Sequence, residues 1–249
     1  MLNQTTETEN LGLNINTNYS GTEELWVIEK NLTHYNFDLV KIFSQFFKPK
    51  DDILEFGAGI GTLAQLWFSI MKIKPQCLEI DKNLNRILEA RGFYTYDNLE
   101  SILKKFDGIY TSNVLEHVQD DVGILKKLHS KLKDDSIIVI YVPAFMCLYS
   151  RIDAKFGHFR RYKKSDLHKK LKQSEFQLLN YRYVDSIGFF VWLLVKLGGT
   201  KYSKAIANGQ SLQFYDRYIY PFSKFLDNLG FKYFLGKNLL VVAKKIAST

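Results

Sequence analysis

The stretch Ile53-Leu-Glu-Phe-Gly-Ala-Gly-Ile-Gly61 decides the fold, because an apolar strand runs directly into three alternating glycines. A second apolar segment ends on Glu79, 22 positions after Gly57. Glycines at a strand-to-helix turn let a ligand approach the backbone and meet the free N–H groups of the helix start. A carboxylate about 20 residues farther on is placed to accept the hydroxyls of a ribose. The pair predicts a site for a cofactor that contains a nucleoside.

The spacing of these glycines differs from the dinucleotide-binding pattern G-x-G-x-x-G. The third glycine, Gly61, comes one residue early, and Thr62 occupies the position at which that pattern requires glycine. The turn therefore favours a nucleoside cofactor other than NAD, while a nicotinamide enzyme stays open as an alternative.

Strand and helix patterns alternate around the glycine turn, which predicts a parallel sheet with helices on both faces and right-handed crossovers. The predicted strands are Asp52–Phe56, Pro75–Ile80, Gly108–Thr111, Ser136–Val142, Phe176–Val184 and Leu239–Ala243. The predicted helices start at Thr22, which is expected to be an N-cap residue, and near Ile60, Asp81, Leu99, Asp120 and Ser165.

The length of 249 residues is enough to bury a large core and predicts one domain with insertions. We place the domain at residues 21–249, with its core at about 50–185 and 236–246 and a helical, aromatic insertion at about 186–235. Residues 1–20 are rich in Asn and Thr and are expected to form a disordered lead. The aromatic residues of the insertion either pack internally or cover an apolar ligand or a membrane surface.

The net charge of +8 is concentrated in one segment of the chain. Residues 151–172 carry nine Lys and Arg against Asp153 and Asp166, a net charge of +7. Such a patch indicates an anionic partner or substrate, and the alternative is a solvated helix face after Ser165. The two cysteines have no metal spacing, and the longest apolar run, Ile187–Val195, is too short to span a bilayer. We expect a cytoplasmic protein, with peripheral contact at the inner face of the membrane as a further option.

Three motifs in order resemble the class I S-adenosylmethionine-dependent methyltransferases: the turn at residues 55–61, the acid Glu79, and Thr111-Ser-Asn-Val-Leu-Glu-His-Val118. The resemblance covers about residues 50–145 and reaches the last strand more weakly. It implies an α/β, Rossmann-like fold with a seven-stranded, mostly parallel sheet whose last strand is antiparallel. It also implies that S-adenosylmethionine binds above the carboxyl ends of the first strands.

The same resemblance implies which residues meet the cofactor. The implied contacts are Glu55, Gly57, Ala58, Gly59 and Gly61 for the methionine part, Glu79 for the ribose, Ile80 and Asn98 for the adenine, and Asn113, Val114 and Leu115 for the opposite side of the site. Asn98 has an alternative role as the cap of a following helix, and Asp81 is expected to cap its own helix.

Transfer of a methyl group from a sulfonium needs an aligned acceptor and, where the acceptor is protonated, a base. His117 is a candidate base, because imidazole titrates near working pH and the neighbouring Glu116 can orient it. His158 is a second candidate, and the alternative is that Glu116 and His117 only open the next helix. Similar quinone O-methyltransferases carry Glu-x-x-Glu-His here and are thought to hold a divalent ion. Asn113 replaces the first of those carboxylates, which weakens such a site, and we assign no metal.

A further motif, Gly157-His-Phe-Arg-Arg-Tyr162, resembles an element of a methyltransferase subgroup associated with glycosyltransferases and with lipid or cell-envelope pathways. It follows the predicted strand at 136–142, where class I enzymes build the acceptor pocket. Arg160 and Arg161 are expected to hold a carboxylate or phosphate of the acceptor, and the alternative is a structural clamp. The other predicted acceptor-binding residues are Tyr35, Tyr149 and Tyr162.

Together these features predict an S-adenosylmethionine-dependent methyltransferase that acts on a small or lipid-linked, anionic acceptor, at an oxygen atom. One alternative is a nucleic-acid methyltransferase, which the basic segment would suit. Against it, Ser112-Asn-Val-Leu115 stands where amino-methylating DNA enzymes carry an Asn/Asp-Pro-Pro-aromatic box. Another alternative is a non-catalytic partner protein that binds the cofactor and docks through its insertion.

Overall fold

A central sheet of seven strands organises the computed structural model, which describes residues 21–206 and 209–246. The strands lie in the order β3-β2-β1-β4-β5-β7-β6. Their bounds are β1 (Ile53–Phe56), β2 (Gln76–Leu78), β3 (Thr95–Tyr96), β4 (Phe106–Ser112), β5 (Leu132–Pro143), β6 (Phe176–Val184) and β7 (Asn238–Lys245). The lead predicted at residues 1–20 lies outside the described residues.

Ten α-helices in the described ranges surround this sheet. They are α1 (Thr22–Asn31), α2 (Thr33–Ser44), α3 (Thr62–Met71), α4 (Lys82–Ala90), α5 (Asp121–Ser130), α6 (Arg151–Lys155), α7 (Lys164–Gln173), α8 (Ser186–Ile206), α9 (Gly209–Phe214) and α10 (Tyr220–Asn228). A π-helical turn, Tyr215–Ile219, joins α9 to α10. Short 3₁₀ turns lie at Leu115–His117, Met146–Leu148 and Phe231–Tyr233.

The pairing of the strands confirms the predicted mostly parallel sheet with an antiparallel last strand. Strands β1 to β5 pair in parallel, and β7 pairs antiparallel with both β5 and β6. The loops that follow β1, β2, β4 and β5 therefore meet at one edge of the sheet. Because β7 runs the other way, its first residue lies at that same edge, where Asn238 is opposite Pro143 and Val184. This edge carries every motif that the sequence singled out.

Both faces of the sheet are buried, as the apolar runs of the strands predict. Successive side chains of a strand point to opposite faces, and β5 shows this directly. Ile138 and Ile140 belong to the core cluster on one face, and Val139 and Tyr141 belong to the cluster on the other. The sheet is thus a rigid platform on which the loops of its carboxyl edge are fixed.

Two local predictions about helices are wrong. No helix begins at Leu99: residues 99–101 form only a turn between β3 and β4, held by a 2.7 Å hydrogen bond from the Ser101 backbone nitrogen to Asn98 Oδ1. Thr22 does not cap its helix, since Gly21 is the N-cap and no side chain bonds there. The cap predicted at Asp81 is confirmed, because its carboxylate accepts the backbone N–H groups of Asn83 and Leu84.

The segment between β6 and β7 is helical, as expected of the insertion. Helices α8, α9 and α10 and the turn at Phe231–Tyr233 fill it. Within the ranges that the structure describes, none of the helices combines the length and the apolar character needed to cross a bilayer.

Candidate active site

The glycine turn after β1 has backbone angles that only glycine adopts without strain. Gly57, Gly59 and Gly61 have φ angles of 76°, 57° and 84°. A Cβ atom on Gly57 would lie 2.3 Å from Val114 Cγ2, and one on Gly61 would lie 2.7 Å from a methyl group of Leu88. Gly57 thus packs directly against the loop that follows β4.

The carboxylate of Glu79, at the end of β2, reaches back to this turn. It accepts the backbone N–H of Gly59 at 2.8 Å and that of Asp81 at 3.0 Å. Glu79 is buried, and burial raises its pKa against these hydrogen bonds. Glu79, the residue predicted to bind the ribose, is therefore hydrogen-bonded to the glycine turn.

Glu55 lies beneath the turn, with its side chain fully enclosed. The hydroxyl of Tyr110 donates to Glu55 Oε2 at 2.8 Å, and Trp67 stacks on the ring of Tyr110. Burial raises the pKa of Glu55 to about 8, against the hydrogen bond from Tyr110, and the nearby carboxylate of Glu79 raises it further. Glu55 is placed to support the turn from below.

The other residues predicted to line the cofactor site occupy the same edge. Asn113 adopts a φ of 54° and is exposed, Val114 contacts the position of Gly57, and Leu115 is buried. Ile80 is partly exposed at the end of β2, and Asn98 uses its amide oxygen to close the turn that follows β3. Their contacts with the cofactor stay predictions.

Helix α1 covers the glycine turn from outside, a feature that sequence reasoning missed. A Cβ atom on Gly59 would lie 3.4 Å from Leu25 Cδ1. Glu29 accepts a 2.6 Å hydrogen bond from the hydroxyl of Thr62, at the start of α3, and pairs with Arg91 at 2.8 Å. Glu29 lies near the end of α1, away from the first-turn acids Glu23 and Glu24, and no sequence motif marks it as a contact of the glycine turn.

Glu116, His117 and His158 come together beside the loop after β4. One donor atom from each of the three side chains lies within 4.8 Å of the other two. Glu116 is completely buried, and neither of its carboxylate oxygens has a hydrogen-bond partner among the described residues. Burial raises the pKa of Glu116 to about 8, against the interaction with its own backbone N–H and the charge of Arg161. We call this set the Glu-His-His cluster.

The two histidines of this cluster are each held by a second group. The rings of His117 and His158 meet edge to face at 4.6 Å. Burial and the neighbouring His158 lower the pKa of His117 to about 4, against a hydrogen bond to the backbone carbonyl of Phe156. His158 Nδ1 lies 2.8 Å from Oδ1 of Asp153. Both imidazoles are therefore oriented before any acceptor binds.

Asp153 links this cluster to the arginines. Arg161 Nε donates to the same oxygen of Asp153 at 2.8 Å, and both side chains are buried. Burial raises the pKa of Asp153, but the hydrogen bond from His158 and the charge of Arg161 outweigh it and lower the pKa to about 2. The geometry of Arg161 favours the structural clamp over the grip on an acceptor anion.

Arg160, Tyr162 and Tyr149 are also engaged within the chain. Arg160 pairs with Asp121 at 2.7 Å and donates to the carbonyl of Gln119. Tyr162 is buried, and its hydroxyl bonds to Leu115 O and to Asp121. The Tyr149 hydroxyl donates to the carbonyl of His158 at 2.7 Å. These contacts fix the loop after β5 onto the loop after β4 and explain how His158 reaches His117.

A cation that the sequence did not single out lies at the same edge. Lys237, immediately before β7, places its ammonium 5.4 Å from the ring of Tyr35 and 5.3 Å from that of Trp192. The guanidinium of Arg161 lies over the same Trp192 ring at 5.3 Å. Lys237 forms no ion pair with the described residues, and burial lowers its pKa. Tyr35 is buried there, with its hydroxyl bonded to that of Tyr141.

The strand order, the glycine turn and the acid at the end of β2 together define a class I S-adenosylmethionine-dependent methyltransferase. The chain belongs to the methyltransferase domain family, whose model matches residues 28–181. It is accordingly an enzyme, and S-adenosylmethionine is its cofactor.

Solved structures with the same fold are similar over most of the chain. A SAM-dependent methyltransferase from Archaeoglobus fulgidus is 21% identical, covers 84% of this chain and 92% of its own, and gives a TM-score of 0.57. Coclaurine N-methyltransferase, bound to N-methylheliamine and SAH, is 12% identical with coverages of 84% and 72% and a TM-score of 0.56. The cyclopropane synthase MmaA2 from Mycobacterium tuberculosis is 13% identical, with coverages of 85% and 83% and a TM-score of 0.55. None of the curated proteins compared with the chain matches it.

Proposed function

We propose that this enzyme transfers the methyl group of S-adenosylmethionine to an oxygen atom of a small or lipid-linked acceptor that carries negative charge. The observation that carries the proposal is a continuous series of contacts along the carboxyl edge of the sheet. It runs from Lys237 through Trp192, Arg161 and Asp153 to His158 and His117. The series joins a cation without an ion-pair partner in the described residues to the cluster beside the cofactor turn.

We assign Lys237 as the residue that binds the negatively charged group of the acceptor. Arg160 is held by Asp121 and the carbonyl of Gln119, and Arg161 is buried against Asp153, so both guanidinium groups are engaged within the chain. A half-buried ammonium between two aromatic rings interacts strongly with an anion, because water screens it little. Lys237 thus replaces the pair Arg160 and Arg161 as the proposed anion-binding residue. The rings of Tyr35 and Trp192 flank its ammonium group.

The Glu-His-His cluster is the place where we expect the acceptor to lose its proton. A histidine with a pKa of about 4 is neutral at working pH and so can accept a proton. It is a weak base, so it suits an acceptor whose hydroxyl is itself acidic. The chemistry thus favours O-methylation of an acceptor that ionises easily.

The exposed apolar side chains of the insertion support an acceptor with a lipid portion. Large hydrophobic residues stand at the surface of this segment, namely Phe190, Leu194, Leu197, Phe214, Tyr218, Phe222, Phe225, Leu229, Tyr233 and Phe234. Two pairs among them are in contact, Phe214 with Tyr218 and Phe222 with Phe225, and grouped exposed apolar side chains mark places of contact with lipid or with another protein. In this proposal residues 186–235 are a cap of the single domain 21–249 that touches the membrane surface and admits the acceptor.

The experiment is methyl transfer from radiolabelled S-adenosylmethionine into a cell extract, with the products divided into organic-soluble, small aqueous, nucleic-acid and protein fractions. Label in the organic or small aqueous fraction supports the proposal. Label in nucleic acid overturns the proposal and would indicate that the basic segment 151–172 binds phosphate groups of the nucleic acid.

Variants then test the assigned roles. Lys237→Ala is expected to raise the KM of the acceptor, while Lys232→Ala, in the turn just before β7, leaves it unchanged. His117→Ala is expected to lower turnover by about 10²–10⁴-fold with the affinity for the cofactor preserved. An unchanged KM in Lys237→Ala would remove the anion assignment.

A further inference from the structure

We propose that Glu116, His117 and His158 bind a divalent transition-metal cation at the carboxyl edge of the sheet. The three side chains offer one carboxylate oxygen and two imidazole nitrogens, and these donor atoms lie within 4.8 Å of one another. Ligand atoms around a tetrahedral zinc ion are roughly 3.3 Å apart, given metal–ligand distances near 2.0–2.1 Å. Small rotations of the three side chains would bring the donors to that spacing.

The carboxylate of Glu116 is the observation that points to a ligand. Its side chain is fully buried, and both oxygens lack a hydrogen-bond partner among the described residues. Buried carboxylate oxygens almost always have a partner, because an unpaired polar group in the interior is costly. A cation bound between Glu116 and the two histidines would supply that partner.

The surroundings of the two histidines match those of metal ligands. A ligating imidazole usually donates its other N–H to a carboxylate or to a backbone carbonyl, which fixes the ring. His158 uses Nδ1 toward Asp153, at 2.8 Å, and His117 bonds to the backbone carbonyl of Phe156. These contacts fix the orientation of both rings beside Glu116.

The donor set identifies the chemical class of the cation. Imidazole with one carboxylate suits Zn²⁺, Fe²⁺, Co²⁺ and Mn²⁺, whereas Mg²⁺ and Ca²⁺ prefer sites made of oxygen atoms. Three protein ligands leave at least one coordination position open. Asn113 is exposed, and its amide nitrogen donates to the hydroxyl of Ser112 at 3.2 Å. His158, brought in by the loop after β5, completes the set instead.

This inference deepens the proposed function, because the cation would bind the acceptor oxygen and lower the pKa of its hydroxyl. With the cation bound, the histidines would be its ligands and the hydroxyl proton would pass to water, so the base role given to His117 above applies to the protein without metal. The test of metal binding nevertheless needs no acceptor, so the two proposals fail separately.

The experiment is a titration of the full chain with Co²⁺ after treatment with a chelator, followed by visible absorption and calorimetry. We expect one Co²⁺ per chain and d–d bands of a site with nitrogen ligands, together with a higher Tm in its presence. Glu116→Gln keeps the shape of the side chain, and His158→Gln removes one imidazole. Each is expected to weaken Co²⁺ binding at least about 100-fold. His168→Gln, at an exposed histidine of α7, is the matched control and should bind Co²⁺ like the wild type.

Weaker binding in both cluster variants, with melting temperatures in the absence of metal close to that of the wild type, supports the site. A wild-type chain that binds no Co²⁺, or equal affinity in the wild type and both variants, overturns it. Methyl transfer that continues without bound metal in that case leaves the proposed function standing. Loss of binding in the variants supports the site whether or not an acceptor has been found.

Discussion

Glu79 Oε2 accepts a 2.8 Å hydrogen bond from the backbone nitrogen of Gly59. The residue that the sequence assigned to the ribose therefore also fixes the turn that carries the cofactor. Each carboxylate oxygen has two lone pairs, so the oxygens that hold Gly59 and Asp81 can still accept hydrogen bonds from ribose hydroxyls. Removing this one side chain affects both functions together.

The first prediction concerns that double role. Glu79→Ala is expected to weaken binding of S-adenosylmethionine by at least about 10²-fold, since hydrogen bonds to a charged group contribute about 1.5–3 kcal/mol each. Calorimetric titration measures the change. Glu89→Ala, which removes an exposed carboxylate from α4, should leave the affinity as it is. Equal affinities for both variants would show that Glu79 does not bind the cofactor.

The second prediction concerns the contact between Gly57 and Val114. Gly57→Ala adds a Cβ atom 2.3 Å from Val114 Cγ2 at a φ of 76°, so it is expected to lower the Tm more than Gly59→Ala. Part of the loss should return in the double variant Gly57→Ala, Val114→Ala, because the clash is then removed and only the backbone strain stays. A double variant whose loss equals the sum of the single losses would contradict this packing.

The third prediction separates the two arginines. Arg161→Ala leaves the buried Asp153 without its counter-charge and is expected to lower the free energy of unfolding by about 3–5 kcal/mol. Arg160→Ala should cost only about 1 kcal/mol, because Asp121 keeps Lys170 and Tyr162 as partners. Denaturant unfolding of both variants measures the difference. Losses of equal size would show that Asp153 does not depend on Arg161.

The fourth prediction is a pH dependence that comes from Glu55. Its native pKa is about 8, above the ordinary value of 4.5, so between these pH values the native state binds a proton that the unfolded state has released. Stability therefore falls as pH rises through this window, by up to about 1.4 kcal/mol per pH unit for this group. The loss is complete above the native pKa.

Glu55→Gln removes that contribution, because the amide does not ionise. The stability of the wild type relative to Glu55→Gln should be greater at pH 5 than at pH 8, as measured by urea unfolding of both proteins. Glu79 and Glu116 titrate in both chains, so their contributions largely cancel in the comparison. A stability difference that is the same at the two pH values would disprove the raised pKa.

The parts of the fold that sequence predicts are those with a local signal. The apolar run of β5 and the glycines after β1 carry their structure within a few residues, and the family motifs add the order of the sheet. Strand β3 has only Thr95 and Tyr96, both half-buried, so no periodicity reveals it. Leu99 belongs to the core, yet only nine residues separate β3 from β4 there, and these form turns instead of a helix.

The residues of the candidate site show the same difference between local and non-local sequence signals. The spacing of Gly57 to Gly61 and Glu79 indicates that they lie together, and the hydrogen bond from Gly59 to Glu79 confirms that contact, while their roles toward the cofactor stay predictions. The assignment of Arg161 to the acceptor could not foresee its partner Asp153, which depends on how the loop after β5 folds back. Lys237 had no motif at all. Its position depends on the reversed direction of β7, which brings the start of that strand to the functional edge.

The position of β7 between β5 and β6 has a consequence for how the chain is made. Strand β6 is hydrogen-bonded to β7, not to β5, so it has no place in the sheet until residues 238–245 have been synthesised. The half that carries the glycine turn and Glu79 can form as soon as β5 leaves the ribosome. Until β7 pairs with it, β5 presents an open edge to other nascent chains. Strand β6 therefore joins the sheet only after β7 has paired with β5.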